Sequence, residues 1–271
     1  MTDFPAQSKP RPVGRVTRSY ASLRSISALM LREMATRYGR SPGGYLWSIV
    51  EPLGMILILA VAFAALVRVP PLGDSFIIFF ATGYLIFQLY NTVSGAIARA
   101  INFSRSLLFY PAVTWIDAVL GRFFLNFLTE LLVLFLLLVV LFAITDVTLF
   151  LDIRPILIAI AMAATLAFGI GVANTVLFGF FPAWMNIWAI ATRPLFLISG
   201  IIFLYDDMPP ALQTYLWYNP LIHITGLMRE GFYPTYAASY VSPIFVFSIA
   251  AVLSFFGLLG LGRFHREILN R

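Results

Sequence analysis

The uncharged stretch PILIAIAMAATLAFGIGVANTVLFGFFPAWMNIWAIAT (Pro155–Thr192) decides the fold class of this 271-residue chain. It is much longer than the ~20 apolar residues that one membrane-spanning helix needs. Proline ends or kinks a helix, so Pro182 predicts a break into two helices joined by a tight turn. A water-soluble domain cannot cover its surface with such a segment. The chain is therefore expected to be embedded in a membrane.

The composition of the whole chain agrees with this interpretation. Hydrophobic residues make up 61% of the chain and charged residues 11%, against the ~25% of charged residues in a typical soluble domain. The apolar residues suffice for about six spanning helices. We therefore expect an all-α, polytopic membrane protein with six transmembrane helices, at Trp47–Val67, Phe76–Ala98, Ala118–Thr145, Pro155–Phe181, Ile187–Tyr205 and Pro243–Gly262.

The segments outside these spans differ in character. Residues 1–19 are rich in proline and arginine, which predicts a flexible cytosolic tail. In residues 20–41 apolar side chains recur every three to four positions, which predicts an amphipathic helix in the membrane interface. Residues 206–242 contain four prolines and only short apolar runs, so they predict short re-entrant helices in the outer leaflet. The transmembrane domain thus covers residues 47–262, and residues 263–271 form a second cytosolic tail.

The basic residues predict the orientation, because cytosolic loops of membrane proteins carry an excess of lysine and arginine. With six spans, fourteen basic residues fall on the side of both termini and three fall on the other side. Arg193 lies near or within the fifth span. Both termini are therefore expected in the cytosol. The net charge of +6 follows from this topology, so it does not call for a nucleic-acid partner.

The residue types that the chain lacks exclude several kinds of chemistry. It contains no cysteine, and its two histidines, His223 and His265, are far apart in the sequence, so we expect no metal site. Its single lysine, Lys9, does not follow a glycine-rich loop, as the lysine of a P-loop must. We expect no catalytic residue and no cofactor in this chain. If ATP drives its function, another polypeptide binds the nucleotide.

Three segments resemble a known family of membrane proteins. They are LREMATRYGRSPGGYLWSIVEPL (Leu31–Leu53), SLLFYPAV (Ser106–Val113) and WYNPLIHITGLMREGFYP (Trp217–Pro234). In this order they resemble the ABC-2 type export permeases, and more closely the KpsM-type permeases of capsular polysaccharide export. The resemblance implies a homodimer in the bacterial inner membrane with two separate ATPase subunits, which carry ATP and Mg. It also implies a lipid-linked acidic polysaccharide as cargo, and periplasmic or outer-membrane export components as further partners.

Arginines of the predicted interface helix and its C-terminal end are candidates for binding lipid or glycolipid headgroups. Arg32, Arg37 and Arg40 lie within the first matching segment, and guanidinium groups suit phosphate and carboxylate oxygens. The alternative is ordinary anchoring of these arginines to anionic membrane lipids.

The connection between the second and third spans, Asn102–Trp115, matches the position of the family's coupling helix, which docks on the ATPase. The resemblance implies a short helix at Ser104–Tyr110, and Pro111 would end it. The alternative is a simple inner loop whose arginines fix the topology. The candidate coupling residues are Glu33, Ser104, Arg105, Leu108, Phe109, Tyr110 and Pro111.

Two sets of residues within the spans are candidates for lining a translocation path. Tyr84, Phe87 and Tyr90 recur at three-residue steps, and aromatic faces can stack on sugar rings; helix packing is the alternative. Glu130 lies deep in the third span, where an ionisable group costs ~2.5–3.5 kcal/mol and usually faces protein or water. It is expected to pair with Arg193 or to line the path; a purely structural ion pair is the alternative.

The predicted outer segment carries a further group of polar and aromatic residues. Trp217, Asn219, His223, Arg229 and Glu230 would cap the exit and bind extracytoplasmic partners. The alternative is that they satisfy exposed backbone groups and pair locally, for example Arg229 with Glu230.

We therefore expect the membrane subunit of an ABC exporter for lipid-linked capsular polysaccharide, with no enzymatic activity of its own. The nearest alternative is the same machine with O-antigen, teichoic acid or a drug-like molecule as cargo. A more distant one is an ion-coupled secondary transporter, which would need chains of intramembrane acids and internal repeats. A third is a membrane-bound lipid-processing enzyme, which would need clustered Asp, His or Lys.

Overall fold

The computed structural model describes residues 21–38, 44–109, 113–145 and 151–270. All regular structure in these ranges is helical, which confirms the all-α class. The predicted tail at residues 1–19 and the last residues of the predicted interface helix, 39–41, lie outside the described residues.

The helices follow one another with short connections. They are α1 (Ala21–Tyr38), α2 (Trp47–Leu66), α3 (Phe76–Ala98), α4 (Ala100–Phe103), α5 (Arg105–Leu108), α6 (Trp115–Thr145), α7 (Ile153–Phe180), α8 (Pro182–Ile198), α9 (Pro210–Leu216), α10 (Pro220–Phe232) and α11 (Pro243–Asn270). Within the described ranges, five of them are long and apolar enough to cross a membrane: α2, α3, α6, α7 and α11.

Residues before the helices explain several of their starting points. The side chain of Asp152 accepts a hydrogen bond from the Arg154 N–H at 3.0 Å, where α7 begins. Asn219 does the same for the Leu221 N–H at 3.1 Å, where α10 begins. Short oxygen-bearing side chains at this position satisfy backbone donors that the first helical turn leaves unpaired.

The fifth predicted span is the one whose boundaries differ most from the structure. Ile187–Tyr205 was expected to be helical, but α8 begins at Pro182 and ends at Ile198. Proline is favoured in the first helical turn, where its missing N–H does no harm. Gly200 has φ +72°, a left-handed conformation that glycine adopts readily, and the chain leaves the helix there. Helix α11 also differs from the prediction, because it continues past the predicted end at Gly262 to Asn270.

Helices α3 and α7 form the centre of the bundle. Each contacts the other, α11 packs along α7, α6 packs along α3, and α10 contacts both central helices. Glycines allow the close approach of α7 and α11: a Cβ at Gly169 would lie 2.7 Å from the Ala250 carbonyl oxygen, and one at Gly257 would lie 2.8 Å from the Ala173 nitrogen. Small residues at helix contacts are typical of membrane bundles.

The outer helices expose apolar side chains. Phe135 of α6, Val61 of α2 and Phe255 of α11 are each more than half exposed. In water such a surface would be unstable, but hydrocarbon is its natural surrounding. The distribution therefore fits a bundle surrounded by lipid, as the composition predicts.

Candidate functional site

Helix α1 is attached to α6 by a buried ion pair. The Glu33 carboxylate lies 3.1 Å from the Arg122 guanidinium, and the two side chains are 3% and 12% exposed. The same guanidinium lies 4.3 Å from the centre of the Phe103 ring on α4. Glu33 was expected on the surface that docks the ATPase, but its carboxylate faces α6. Glu33 therefore holds α1 to α6, and Arg122 extends this contact to α4.

A second polar contact joins the start of α1 to the start of α6. The buried carboxylate of Asp117 accepts hydrogen bonds from the Ser22 hydroxyl and from the Thr114 N–H. In return, the Thr114 hydroxyl accepts from the Asp117 N–H at 3.2 Å, which is a reciprocal cap of a helix start. The cap has a recognisable signal in the sequence, a Thr three residues before an acidic residue that precedes an apolar run, but the contact with Ser22 has none.

The three arginines predicted to bind headgroups are only partly described. Arg32 is exposed on α1, with its guanidinium 6.0 Å from the centre of the Phe103 ring. Arg37 lies within the bounds of α1, and Arg40 lies outside the described residues. Their common role as a headgroup site stays a prediction.

In its described part, the segment between α3 and α6 contains two short helical turns, α4 and α5, instead of one helix. Helix α5 covers Arg105–Leu108 only, and the predicted residues Tyr110 and Pro111 lie outside the described residues. Ser104 is buried and Leu108 is half-buried, whereas Arg105 and Phe109 are exposed. An exposed aromatic ring beside an exposed cation is a combination common in protein interfaces.

The aromatic row of α3 lies inside the protein. Tyr84, Phe87 and Tyr90 are all buried. The rings of Tyr84 and Phe87 contact the Phe196 ring of α8 edge to face, with centroid distances of 6.1 and 5.6 Å. These contacts favour the helix-packing alternative for the row, since its rings join α3 to α8 within one chain.

The charged residues predicted near a path lie on different helices. Glu130 is half-buried on α6, and Arg193 is exposed on α8. The pairing of Glu130 with Arg193 stays a prediction.

Helix α10 satisfies the backbone carbonyls where the chain leaves α8. The Asn219 amide donates to the Ile198 carbonyl at 3.0 Å, and the Thr225 hydroxyl donates to the Ser199 carbonyl at 2.8 Å. The Arg229 guanidinium donates to the carbonyls at positions 201 and 203, at 2.8 and 3.0 Å. Non-helical backbone inside a membrane protein needs such partners.

The remaining residues of the predicted outer segment also bind backbone groups. His223 is fully buried, with Nε2 2.7 Å from the Trp217 carbonyl oxygen, and its Nδ1 accepts from the Ser242 N–H at 3.2 Å. Because Nδ1 accepts, Nε2 carries the proton. Burial lowers the pKa of His223, so this neutral form is favoured. The Glu230 carboxylate accepts from the Ala238 N–H, and Arg229 bonds to the carbonyls described above, so the two neighbours use different partners.

Comparison with known proteins identifies the family of this helical bundle. Residues 24–233 match the family model described as ABC-2 type transporter. The chain belongs to the ABC-2 type transporter family. The matched range begins within α1 and ends after α10, so it includes the segment that binds the end of α8.

Curated relatives of this ABC-2 transporter chain cover most of its length. It is 30% identical over 234 residues to the polysialic acid transport protein KpsM of Escherichia coli, covering 86% of this chain and 91% of that protein. It is 30% identical over 247 residues to the capsule polysaccharide export inner-membrane protein CtrC of Neisseria meningitidis serogroup B, covering 90% and 92%. BexB of Haemophilus influenzae, of the same description, is 28% identical over 246 residues, covering 90% and 92%.

The contacts of α10 in this ABC-2 transporter agree with the alternative that these residues satisfy backbone groups, but the sequence did not indicate which backbone they bind. Thr225 and Arg229 are four residues apart and therefore share a helix face. An arginine in a short, largely apolar helix signals a buried partner. The partner itself, the backbone after α8, lies more than 25 residues earlier and could not be read from local spacing.

Proposed function

We propose that this chain is the membrane subunit of an ABC exporter that moves a lipid-linked capsular polysaccharide across the bacterial inner membrane. The observation that carries the proposal is its similarity, over 86–90% of its length, to relatives whose names describe polysialic acid transport or capsule polysaccharide export. An exporter of O-antigen or teichoic acid is the competing cargo assignment.

The energy for transport comes from a separate ATPase subunit, one for each copy of this chain. The chain has no P-loop lysine, and a P-loop needs one to reach the phosphates. Exposed Arg105 and Phe109, which follow α4, form a suitable docking surface. Movement of this surface would reach α6 through the contacts of Arg122 with Glu33 and Phe103.

Helix α8 completes a set of six spans with both termini in the cytosol. Its 17 residues give a length of ~26 Å at 1.5 Å per residue, close to the ~30 Å of the hydrocarbon core. If α8 crosses the membrane, fourteen basic residues lie on the cytosolic side and three on the outer side, with Arg193 within the span. If α8 does not cross, thirteen lie on the cytosolic side and five on the outer side. The first division follows the positive-inside rule more strongly. Residues 206–242 then lie on the outer side, and α1 lies in the inner interface.

Two copies of the chain enclose the path for the polysaccharide. Along its whole described length α8 has no fully buried residue, and Ile187, Ile190 and Leu197 are each more than half exposed. An apolar helix with so few partners within its own chain suits a contact with a second copy. A twofold axis relates the two copies, so each copy binds one ATPase subunit in the same way.

Co-expression with an ABC ATPase from a capsule export system tests the proposal. The two proteins should co-purify in mild detergent, and a lipid-linked acidic polysaccharide should raise the rate of ATP hydrolysis. Stimulation by an O-antigen lipid but not by a capsular one would reassign the cargo. Absence of the ATPase from the purified protein would contradict the ABC exporter assignment.

A further inference from the structure

A polar cavity of about 500 Å³ lies between the end of α3, the first half of α8 and Arg122 of α6. Its volume is within the ~300–1,000 Å³ typical of small-molecule sites. It lies beside the ion pair that attaches α1, and it is separate from the buried aromatic row of α3.

The lining of the cavity is suited to an anion. Arg99 and Arg122 both line it, and the lining residues that the structure describes include no acidic side chain. Arg99 is exposed at the end of α3, and Arg122 is the arginine paired with Glu33. Guanidinium groups bind carboxylates and phosphates with two parallel hydrogen bonds.

Neutral groups of the lining are suited to a sugar ring. Asn91 and Asn186 provide amide donors and acceptors, Thr192 provides a hydroxyl, and Trp188 provides a half-buried indole face. Amides and hydroxyls offer both donors and acceptors to sugar hydroxyls. The combination of cations, amides and an indole therefore matches an acidic sugar better than an isolated phosphate ion.

We infer that this cavity binds an acidic sugar unit of the cargo, with its carboxylate on Arg99 and Arg122 and its ring against Trp188. The inference rests on the proposed function, because it assigns a binding site within the export path. Arg99 and Arg122 thereby gain a role beyond the orientation of the chain in the membrane.

The position of Arg122 links occupancy of the cavity to the attachment of α1. An acidic sugar and the Glu33 carboxylate compete for one guanidinium, so binding of the sugar weakens the contact between α1 and α6. Coupling between two binding events is reciprocal. Removing the charge of Glu33 therefore strengthens binding of the acidic sugar.

The test measures binding to the full-length chain in phosphatidylcholine nanodiscs without the ATPase. The probes are tetragalacturonic acid and, as the neutral counterpart, maltotetraose. Arg99→Gln should weaken binding of the acidic probe about tenfold, the loss expected for one charged hydrogen-bonding partner. Arg266→Gln, an exposed arginine near the end of α11 that does not line the cavity, should leave binding unchanged. Glu33→Gln should bind the acidic probe several-fold more tightly.

A double variant controls for loss of folding. Arg122→Gln alone leaves Glu33 buried without its cation, whereas Glu33→Gln with Arg122→Gln removes both charges. The double variant should fold and bind the acidic probe about tenfold more weakly than Glu33→Gln. Equal losses for Arg99→Gln and Arg266→Gln, or equal affinity for both probes, would overturn the inference.

A lipid arm separates the sugar from a phospholipid headgroup. If phosphatidylglycerol in the nanodisc displaces the acidic probe and Arg99→Gln abolishes this effect, the cavity is a lipid site and the inference is wrong. Failure of the inference leaves the exporter assignment intact, because ATPase co-purification and export are measured independently. If the exporter assignment is wrong, the ATPase does not co-purify with the chain, even when the acidic probe binds normally.

Discussion

Replacing Arg229 with methionine tests whether α10 holds the non-helical backbone that follows α8. The guanidinium donates to the carbonyls of Ile201 and Phe203 at 2.8 and 3.0 Å, and the side chain is 2% exposed. Methionine is also long and unbranched but donates no hydrogen bond. Arg229→Met therefore leaves one buried and one part-buried carbonyl without their donor.

Two opposing effects determine how far Arg229→Met lowers the free energy of unfolding. Hydrogen bonds to charged groups contribute about 1.5–3 kcal/mol each, so the loss of two costs about 3–6 kcal/mol. Removal of the charge recovers part of this, because burial disfavours the charged form and lowers the pKa of Arg229 to about 10. We expect a net loss near the low end, about 3 kcal/mol in the free energy of unfolding. This corresponds to a fall in Tm of roughly 6–12 °C for a chain of this size.

Thermal unfolding of the full-length protein in nanodiscs, followed by tryptophan fluorescence, measures this change. Arg154→Met is the matched control, because Arg154 is exposed at the start of α7 and its loss should shift Tm little. Arg229→Lys should also be destabilising, since one ammonium cannot reproduce the fork of the guanidinium. If the Tm of Arg229→Met equals that of the wild type, the carbonyl contacts do not stabilise this region and the reasoning fails.

Three further predictions concern other contacts. Glu33→Ala should lower the free energy of unfolding by about 3–5 kcal/mol, the cost of leaving Arg122 without its buried partner; a denaturant titration that shows under half of this would count against a structural role. Burial lowers the pKa of His223, so the unfolded chain takes up a proton near pH 6.5 before the folded protein does. Stability should therefore fall as the pH drops below about 6.5, and His223→Gln should reduce this pH dependence of Tm, whereas an unchanged profile would exclude His223 as its source. Arg105→Glu and Phe109→Ala should reduce ATPase co-purification without lowering Tm, and normal recovery of the ATPase with both variants would place the docking surface elsewhere.

Hydropathy and helix signals were sufficient to predict most of the helices. The bounds of α3 agree with the prediction, because the apolar run begins after Ser75 and is followed by Arg99. For α8 the same reasoning extended the helix through Ile201–Leu204, whose side chains are as apolar as those of a span. The chain leaves the helix there because Gly200 adopts a left-handed conformation and Arg229 binds the released carbonyls. Hydropathy contains no information about such a distant partner.

The candidate site was less predictable because its contacts join distant parts of the chain. Glu33 and Arg122 are 89 positions apart, and the sequence placed Glu33 among surface residues of α1, although its carboxylate is buried. The three-residue steps of Tyr84, Phe87 and Tyr90 correctly indicated a shared face of α3. Only the structure shows that this face meets Phe196 of α8. Spacing identifies which residues lie together on a helix, but not what the helix contacts.

Transport by proteoliposomes that contain this chain, with and without its ATPase, tests the central claim most directly. Lipid-linked acidic polysaccharide should cross only when both proteins and ATP are present, and a proton or sodium gradient should not replace ATP. Uphill movement of any solute by the chain alone, driven by such a gradient, would contradict the account.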